Sequence, residues 1–284
     1  MAKVYEALRR AEEERKRKAQ GQETPVVAVE WDSTPATAPP PRRRGRVRSW
    51  FGRRSDADAV AGAGGATDMN KRRISLLQPE SYVAEQFRVL RGRIDSLAAE
   101  RPIKSVAITS PNANEGKSTA AINLATVTAM SVGSQVLLMD CDLRRPSVHR
   151  SLGLEPQLGL AEVLRDEASM DEAVLKMESL NLDVLAVRGQ PSNPSELLAS
   201  ARMRSLVEEA SDRYDRIILD TPATLGVPDA KIVSELCDGL VMVVRAGVTP
   251  REHVEAALDV LDRRRLLGLV LNGAERGGER EGYY

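Results

Sequence analysis

Residues 110–119 read Ser-Pro-Asn-Ala-Asn-Glu-Gly-Lys-Ser-Thr, and this stretch decides how the chain folds. An apolar run comes before it, Ile103-Lys104-Ser105-Val106-Ala107-Ile108-Thr109, and a helical pattern begins at Thr119. Strand, loop and helix in this order are the context that a phosphate-binding loop needs. Backbone N–H groups and the positive end of the helix dipole would then point at one anion-binding position. The stretch therefore predicts a binding site for a nucleoside triphosphate.

The loop departs from the G-x-x-x-x-G-K-[ST] pattern because Pro111 holds the first glycine position. Residue Asn114 can adopt a positive φ, because asparagine is one of the few residue types that tolerate it. Lys117 is predicted to reach the β and γ phosphate oxygens, and the Ser118 hydroxyl is predicted to ligate Mg²⁺. The loop residues expected to bind ATP are Asn114, Glu115, Gly116, Lys117, Ser118 and Thr119. For this segment alone, an ordinary turn that contains Gly-Lys-Ser is the alternative.

Composition limits the class of protein. With 284 residues and 42% apolar content, the chain has room for one α/β domain of about 200 residues plus extra segments. The 41 basic residues equal the 41 acidic ones, so we expect no nucleic acid as the main partner. Cys141 and Cys237 lie in or beside predicted buried strands, which argues against a disulfide framework and fits a reducing compartment.

Four segments follow from the pattern along the chain: a charged N-terminal helix over 1–20, a Pro/Ala/Arg-rich linker over 21–73, a folded domain over 74–273, and a flexible tail over 274–284. The N-terminus lacks a signal-peptide core, and no run approaches the ~18 apolar residues of a membrane span. We therefore expect a cytoplasmic protein. The seven arginines of Arg42–Arg54 suit either peripheral contact with an anionic membrane at its inner face or a solvated tether.

From residue 79 onward, helical patterns alternate with continuously apolar strands. Such strands indicate a parallel sheet with both faces covered. The sequence predicts a doubly wound, mostly parallel α/β sheet with helices on both faces. Its strands are expected over 103–109, 135–140, 183–187, 215–220, 239–244 and 266–271, and its helices over 80–98, 118–131, 200–212, 228–236 and 251–263, with short helices over 146–176.

Three aspartates stand at predicted strand ends. Asp140 and Asp142 follow the strand Val136-Leu137-Leu138-Met139, and Asp220 follows Ile217-Ile218-Leu219. The carboxyl ends of parallel strands share the edge where ligands bind, so we expect these carboxylates near Lys117 and Ser118. Oxygen ligands around Mg²⁺ are what ATP-dependent phosphoryl transfer requires. A carboxylate that does not bind the metal could accept a proton from an attacking hydroxyl.

These segments resemble the bacterial tyrosine kinases, P-loop autokinases of capsular and exopolysaccharide synthesis, over about 79–273. The resemblance rests on Gly116-Lys117-Ser118-Thr119, on the Asp140–Pro146 and Ile217–Pro222 segments, and on Gln190–Leu198, which most P-loop ATPases lack. The segments Val244–Thr249 and Gly268–Asn272 are also similar. Ala113-Asn114 and Ala223 depart from the family pattern without removing a group needed for Mg-ATP.

The resemblance implies a role for each site residue. Lys117, Asp140, Asp142 and Asp220 are expected to be catalytic, with Asp140 accepting the proton of the tyrosine hydroxyl. Ser118, Asp142 and Asp220 are expected to organise Mg²⁺, and Arg144 to bind phosphate or the substrate tail. Glu85, Arg88 and Arg91 match the E-x-x-R-x-x-R helix that packs subunits into a ring; alone, a pair within the helix would be the alternative. The tail tyrosines Tyr283 and Tyr284 are the expected phosphoacceptors.

The expected partners are a membrane-embedded polysaccharide co-polymerase that acts as a separate activator, a cognate tyrosine phosphatase, and further copies of the chain. An alternative activity is that of a nucleotide-switched positioning ATPase of the MinD/ParA kind. Those proteins carry an additional lysine early in the phosphate loop, and residues 110–115 contain none. A catalytically weak scaffold is the third possibility.

Overall fold

A computed structural model describes residues 78–177 and 180–274 of the chain. Within these ranges lies one seven-stranded sheet with the order β3-β4-β2-β5-β1-β6-β7. The strands are β1 (Ser105–Thr109), β2 (Val136–Asp140), β3 (Leu175–Met177), β4 (Leu182–Leu185), β5 (Arg216–Asp220), β6 (Gly239–Arg245) and β7 (Leu266–Asn272). All neighbouring strands pair in parallel except β3, which pairs antiparallel with β4.

Helices connect the strands and cover both faces of the sheet, as the sequence predicts. They are α1 (Tyr82–Ala98), α2 (Lys117–Ala129), α3 (Val148–Leu152), α4 (Leu160–Leu164), α5 (Met170–Ala173), α6 (Pro194–Leu198), α7 (Ala201–Arg213), α8 (Asp229–Ser234) and α9 (Arg251–Val260). The segment expected to hold only short helices over 146–176 also contributes the first two residues of β3. Helix α6 lies where the sequence analysis assigned no element.

The core consists of two apolar layers, one on each face of the sheet. Successive residues of a strand point to opposite faces, so Leu138 packs in the layer with α1 and α2, whereas Met139 packs in the layer with α7 and α9. Phe87 and Tyr214 are the aromatic side chains among the described core residues, and most other core residues are aliphatic. Because β2, β5 and β1 are parallel neighbours in the sheet, the side chains at and after their carboxyl ends lie at the same edge.

Candidate active site

The loop between β1 and α2 has the backbone geometry of a tight turn. Asn114 has a φ of 63° and Gly116 a φ of 97°, in the left-handed region that favours asparagine and glycine. A Cβ atom on Gly116 would lie 2.1 Å from Nδ2 of Asn272. Asn272 Nδ2 also donates to the Glu115 carbonyl at 2.9 Å. Glycine is therefore needed here both for its conformation and for the close approach of β7.

Glu115 holds the loop in shape through its side chain. The carboxylate is buried and accepts hydrogen bonds from the Asn112 backbone N–H at 3.0 Å, from Asn112 Nδ2 at 2.9 Å and from the Thr249 hydroxyl at 2.5 Å. His253 Nδ1 lies 3.0 Å from Asn112 Oδ1. The Glu115 side chain thus ties the loop to the segment before α9, and only the backbone of Glu115 is left to contact a phosphate.

Lys117, the first residue of α2, forms a buried ion pair. Its Nζ atom lies 2.8 Å from Asp142 Oδ2, and it also donates to the Ser118 hydroxyl at 3.4 Å. Burial alone lowers the pKa of Lys117. The charges of Asp220, Asp142 and Asp140, together with the hydrogen bond to Asp142, outweigh that effect, so the net pKa is raised and the ammonium is retained.

Asp140, the last residue of β2, is fully buried and accepts three backbone hydrogen bonds. Its Oδ1 atom accepts from the N–H of Asp142, and its Oδ2 atom accepts from the N–H groups of Ser147 and Val148, each at 3.1 Å. Burial, followed by the charge of Asp220, raises the pKa of Asp140 to about 8. The carboxylate thereby fixes the start of α3, and its pKa lies close to neutral pH.

Asp220 completes the acidic group. It is the last residue of β5, is fully buried, and is the direct register partner of Asp140 across the β2–β5 pair. The structure thus brings Lys117, Asp140, Asp142 and Asp220 together at one edge of the sheet. Across residues 78–177 and 180–274, no three acidic, histidine or cysteine side chains form a ready-made metal cage. The Ser118 hydroxyl and the carboxylates fit Mg²⁺, which normally takes further oxygens from phosphates and water.

Arg144, expected to bind phosphate or the substrate tail, has two protein partners. Its Nε atom donates to Asp229 Oδ2 at 2.7 Å, and its Nη2 atom donates to the Ser195 hydroxyl at 2.8 Å. The sequence analysis did not single out Asp229, Asn272 or Thr249. Thr249, Asn272 and Ser195 lie inside the segments that resemble the bacterial tyrosine kinases, and the sequence carries no other signal for them. Nothing in the local pattern marked Asp229 as a partner of Arg144.

The predicted ring-contact residues lie on α1, but their partners are within the chain. Arg88 donates to Glu85 at 2.9 Å and to the Pro79 carbonyl at 2.7 Å. Arg91 donates to the Val127 carbonyl at 2.7 Å and to the Ser131 hydroxyl at 2.5 Å, at the C-terminal end of α2. Within the described chain, the guanidinium of Arg91 therefore joins α1 to α2. Pairing with a neighbouring subunit stays a prediction.

Several predicted features lie outside the described residues. These are the tail tyrosines Tyr283 and Tyr284, the arginine cluster Arg42–Arg54, the N-terminal helix over 1–20 and the linker over 21–73. Among the residues that are described, no helix combines the length and apolar character that crossing a bilayer requires.

The chain is similar in sequence to a known domain family and to several known proteins. The AAA domain family matches residues 103–256. "Tyrosine-protein kinase YwqD" of Bacillus subtilis is 42% identical over 219 residues, which cover 76% of this chain and 92% of that protein. "Succinoglycan biosynthesis transport protein ExoP" of Rhizobium meliloti is 35% identical over 205 residues, or 70% of this chain and 26% of that protein.

Solved structures agree with these sequence relatives. The kinase domain of the Escherichia coli tyrosine kinase ETK superposes with a TM-score of 0.68 at 31% identity, over 74% of this chain and 83% of that domain. The cell division ATPase MinD of Pyrococcus furiosus has a TM-score of 0.53 at 24% identity, over 59% of this chain and 71% of that one. The second likeness is one of fold.

Proposed function

The chain belongs to the bacterial tyrosine-protein kinases, and from that premise we propose that it transfers the γ-phosphoryl group of ATP to Tyr283 and Tyr284 of a second copy of itself. The observation that carries the proposal is the buried cluster in which Lys117 is 2.8 Å from Asp142 and Asp140 stands in register with Asp220. A cation for phosphate, carboxylates for a metal and a carboxylate of raised pKa occur there together. These are the groups that phosphoryl transfer to a hydroxyl requires.

Each residue has a task in this reaction. Backbone N–H groups of residues 114–119 hold the phosphates at the start of α2. Lys117 exchanges Asp142 for phosphate oxygens and offsets their charge. Mg²⁺, held by Ser118, Asp142 and Asp220 directly or through water, would neutralise charge that develops on the β and γ oxygens. The tyrosine oxygen bonds to the γ-phosphorus as the bond to the β–γ bridging oxygen breaks, ADP leaves, and Asp140 takes the phenol proton.

The raised pKa of Asp140 supports its role as the proton acceptor. Once it is ionised, a carboxyl with a pKa of about 8 binds a proton far more readily than an ordinary aspartate does, and general bases are most effective when their pKa lies near the working pH. Arg144 binds the substrate tail near this group. The two tyrosines end the chain after a short polar segment, and phosphates on them would add repulsive charge between packed subunits.

The relatives support a proposal for the cellular setting. ExoP is named for succinoglycan biosynthesis and transport, so we infer that this chain regulates the synthesis or export of a capsular or exopolysaccharide. Its activator would be the cytoplasmic end of a separate, membrane-embedded co-polymerase, and a tyrosine phosphatase would reverse the modification. The chain would assemble as a ring through α1 in the cytoplasm, at the inner face of the membrane, with Arg42–Arg54 on anionic lipid.

A positioning ATPase is the competing function, since the fold is shared with MinD. Fold does not decide between the two activities. The absence of an early lysine in residues 110–115 and the 42% identity to a named tyrosine kinase favour the kinase. For a positioning ATPase, ATP hydrolysis would proceed without phosphotyrosine.

The test compares ATP hydrolysis with phosphotyrosine formation on the same samples. Wild type, Tyr283→Phe/Tyr284→Phe and Lys117→Met are incubated with ATP and Mg²⁺, and phosphorylated peptides are located by mass spectrometry. We expect phosphate on the wild-type C-terminal peptide and none there in either variant. Hydrolysis by the wild type without any phosphotyrosine, while ATP is bound, would overturn the proposal.

A further inference from the structure

Asp229 is a buried carboxylate at the centre of a three-residue cluster beside the site. It is the first residue of α8 and is fully buried. Its Oδ2 atom accepts from Arg144 Nε at 2.7 Å, and its Oδ1 atom accepts from the Ser195 hydroxyl at 2.6 Å and from Arg144 Nη2 at 3.4 Å. Arg144 Nη2 also donates to Ser195 at 2.8 Å. The cluster therefore closes on itself with every pair in contact.

The cluster joins three separate parts of the chain. Arg144 comes from the loop after β2, Ser195 from the first turn of α6, and Asp229 from the helix that follows the β5 loop. Ser195 lies in the 190–198 stretch that distinguishes this family from most P-loop ATPases, and none of the roles assigned above uses that stretch. Its hydroxyl now has a definite contact, with the arginine two residues after Asp142.

The geometry leaves one side of the guanidinium for an external ligand. Among the described residues, the hydrogen bonds of Arg144 use Nε and Nη2, which leaves Nη1, and 39% of its side chain is exposed. The ion pair with Asp229 fixes the guanidinium in the loop that follows β2, the loop that also carries Asp142. A guanidinium held in place at Nε and Nη2 is preorganised to donate from Nη1 to a carboxylate.

The tail of the chain offers such a carboxylate at a suitable spacing. It reads Glu279-Arg280-Glu281-Gly282-Tyr283-Tyr284. In an extended segment, residues two apart point to the same side and lie about 7 Å from each other. Glu281 would therefore face the same surface as Tyr283. Arg144 lies in the loop after β2, two residues after Asp142, whose carboxylate holds Lys117.

We propose that Arg144 is the specificity residue for an acidic side chain two positions before the acceptor tyrosine, and that Asp229 and Ser195 are positioning residues that hold it. This inference rests on the proposed kinase function and names its substrate class: tyrosine in an acidic segment. Two other roles would leave different signatures. An arginine that only ties the three segments together would not distinguish acidic from neutral acceptors, and one that binds ATP would alter the KM for ATP.

The test crosses donor variants with acceptor variants, both as full-length chains. Acceptors carry Lys117→Met, so that they cannot donate phosphate, with either Glu281 or the neutral Glu281→Gln. Donors carry Tyr283→Phe/Tyr284→Phe, alone or combined with Arg144→Ala, Arg144→Lys, Ser195→Ala or Asp229→Asn. A donor with Arg264→Ala is the matched control, because Arg264 is an arginine with a 90% exposed side chain that pairs with Asp262.

The parent donor should prefer the Glu281 acceptor over the Glu281→Gln acceptor at least about fivefold in kcat/KM, the effect of one charge-assisted hydrogen bond. Arg144→Ala should lower that ratio to about one while leaving the KM for ATP within about twofold. Ser195→Ala and Asp229→Asn should reduce the ratio partly, Arg144→Lys should retain part of it, and Arg264→Ala should keep it.

An unchanged preference for the Glu281 acceptor in the Arg144→Ala donor would overturn the inference, as would a raised KM for ATP without a change in that preference. If Asp229→Asn fails to fold, Ser195→Ala and Arg144→Ala still decide the result. Phosphotyrosine on neither acceptor with the parent donor would instead refute the kinase function itself, so the two failures are distinguishable.

Discussion

The ammonium group of Lys117 lies 2.8 Å from the carboxylate of Asp142, and the two side chains are only 12% and 7% exposed. A triphosphate and Asp142 therefore compete for the same cation. The carboxylate also adds a negative charge next to the place where phosphate oxygens would bind. This competition gives Asp142 opposite effects on the binding of ATP and on the transfer reaction.

Asp142→Asn should bind ATP more tightly than the wild type does when Mg²⁺ is removed. The neutral amide holds Lys117 less strongly and no longer repels the triphosphate, so we expect roughly five- to tenfold higher affinity in EDTA by calorimetry. With Mg²⁺ present, phosphotyrosine formation should fall. Asp171→Asn, a change at an exposed surface aspartate, is the control. Equal or weaker affinity of Asp142→Asn in EDTA would refute the competition.

Stability should fall as the pH rises from about 4 to about 8. Asp140 has a folded-state pKa of about 8, whereas an unfolded aspartate has a pKa of about 3.9. Between those values the folded state binds more protons than the unfolded state. Raising the pH therefore favours unfolding, by at most about 1.4 kcal/mol per pH unit for one proton. Urea titrations at pH 5, 6, 7 and 8 measure this slope.

The control for the pH dependence of the free energy of unfolding is Asp140→Asn, which has no carboxyl to ionise at this position. Its free energy of unfolding should depend less on pH over this range, even if its overall stability is lower because one amide cannot accept all three backbone hydrogen bonds. Parallel slopes in wild type and variant would show that Asp140 does not carry the pH dependence.

Glu115→Gln should loosen the phosphate loop. Both carboxylate oxygens of Glu115 accept hydrogen bonds from donors, so an amide would direct its NH₂ group at one of them. An unsatisfied buried donor costs about 1–3 kcal/mol, and we expect the KM for ATP to rise roughly tenfold. Glu167→Gln, at a side chain 55% exposed, should leave the KM unchanged, and a wild-type KM in Glu115→Gln would count against this role.

Arg91→Ala should destabilise a single subunit as well as a ring. The substitution removes two hydrogen bonds to the end of α2, worth about 1–2 kcal/mol together. That loss should lower Tm by roughly 2–6 °C. Glu85→Ala should leave Tm almost unchanged, since the Glu85 side chain is 59% exposed, yet should reduce the oligomer mass in light scattering. A ring that persists in Glu85→Ala would argue against assembly through this face.

The sequence predicts the fold well where burial leaves little choice. Continuously apolar strands such as β2 and β6 require cover on both faces, and their alternation with helical patterns identifies the parallel sheet. The short edge strand β3 was placed with the helices because its pattern spans three residues, and pairing with β4 decides its conformation. Helix α6 was missed for a similar reason: five residues after a proline-rich stretch carry little periodicity.

In the active site, too, the residues that a local pattern marks are predictable and the others are not. Lys117, Asp140, Asp142 and Asp220 are predictable because each belongs to the phosphate-loop motif or stands at or just after the end of a predicted strand. The residues that hold these side chains in place are not predictable in this way, because they reach the site only through tertiary contacts. Asp229 reaches Arg144 across 85 positions, and Asn272 reaches Glu115 across 157. No local pattern encodes such a pairing.

The most direct test of the account is phosphate transfer between two differently disabled chains. Lys117→Met, which keeps its tyrosines, is mixed with Tyr283→Phe/Tyr284→Phe, which keeps its site, in ATP and Mg²⁺. The account predicts phosphotyrosine on the C-terminal peptide of the Lys117→Met chain in the mixture, and none when that chain is incubated alone. If the mixture binds ATP but the peptide carries no phosphate, the cluster around Lys117 is not a tyrosine kinase site that acts between subunits.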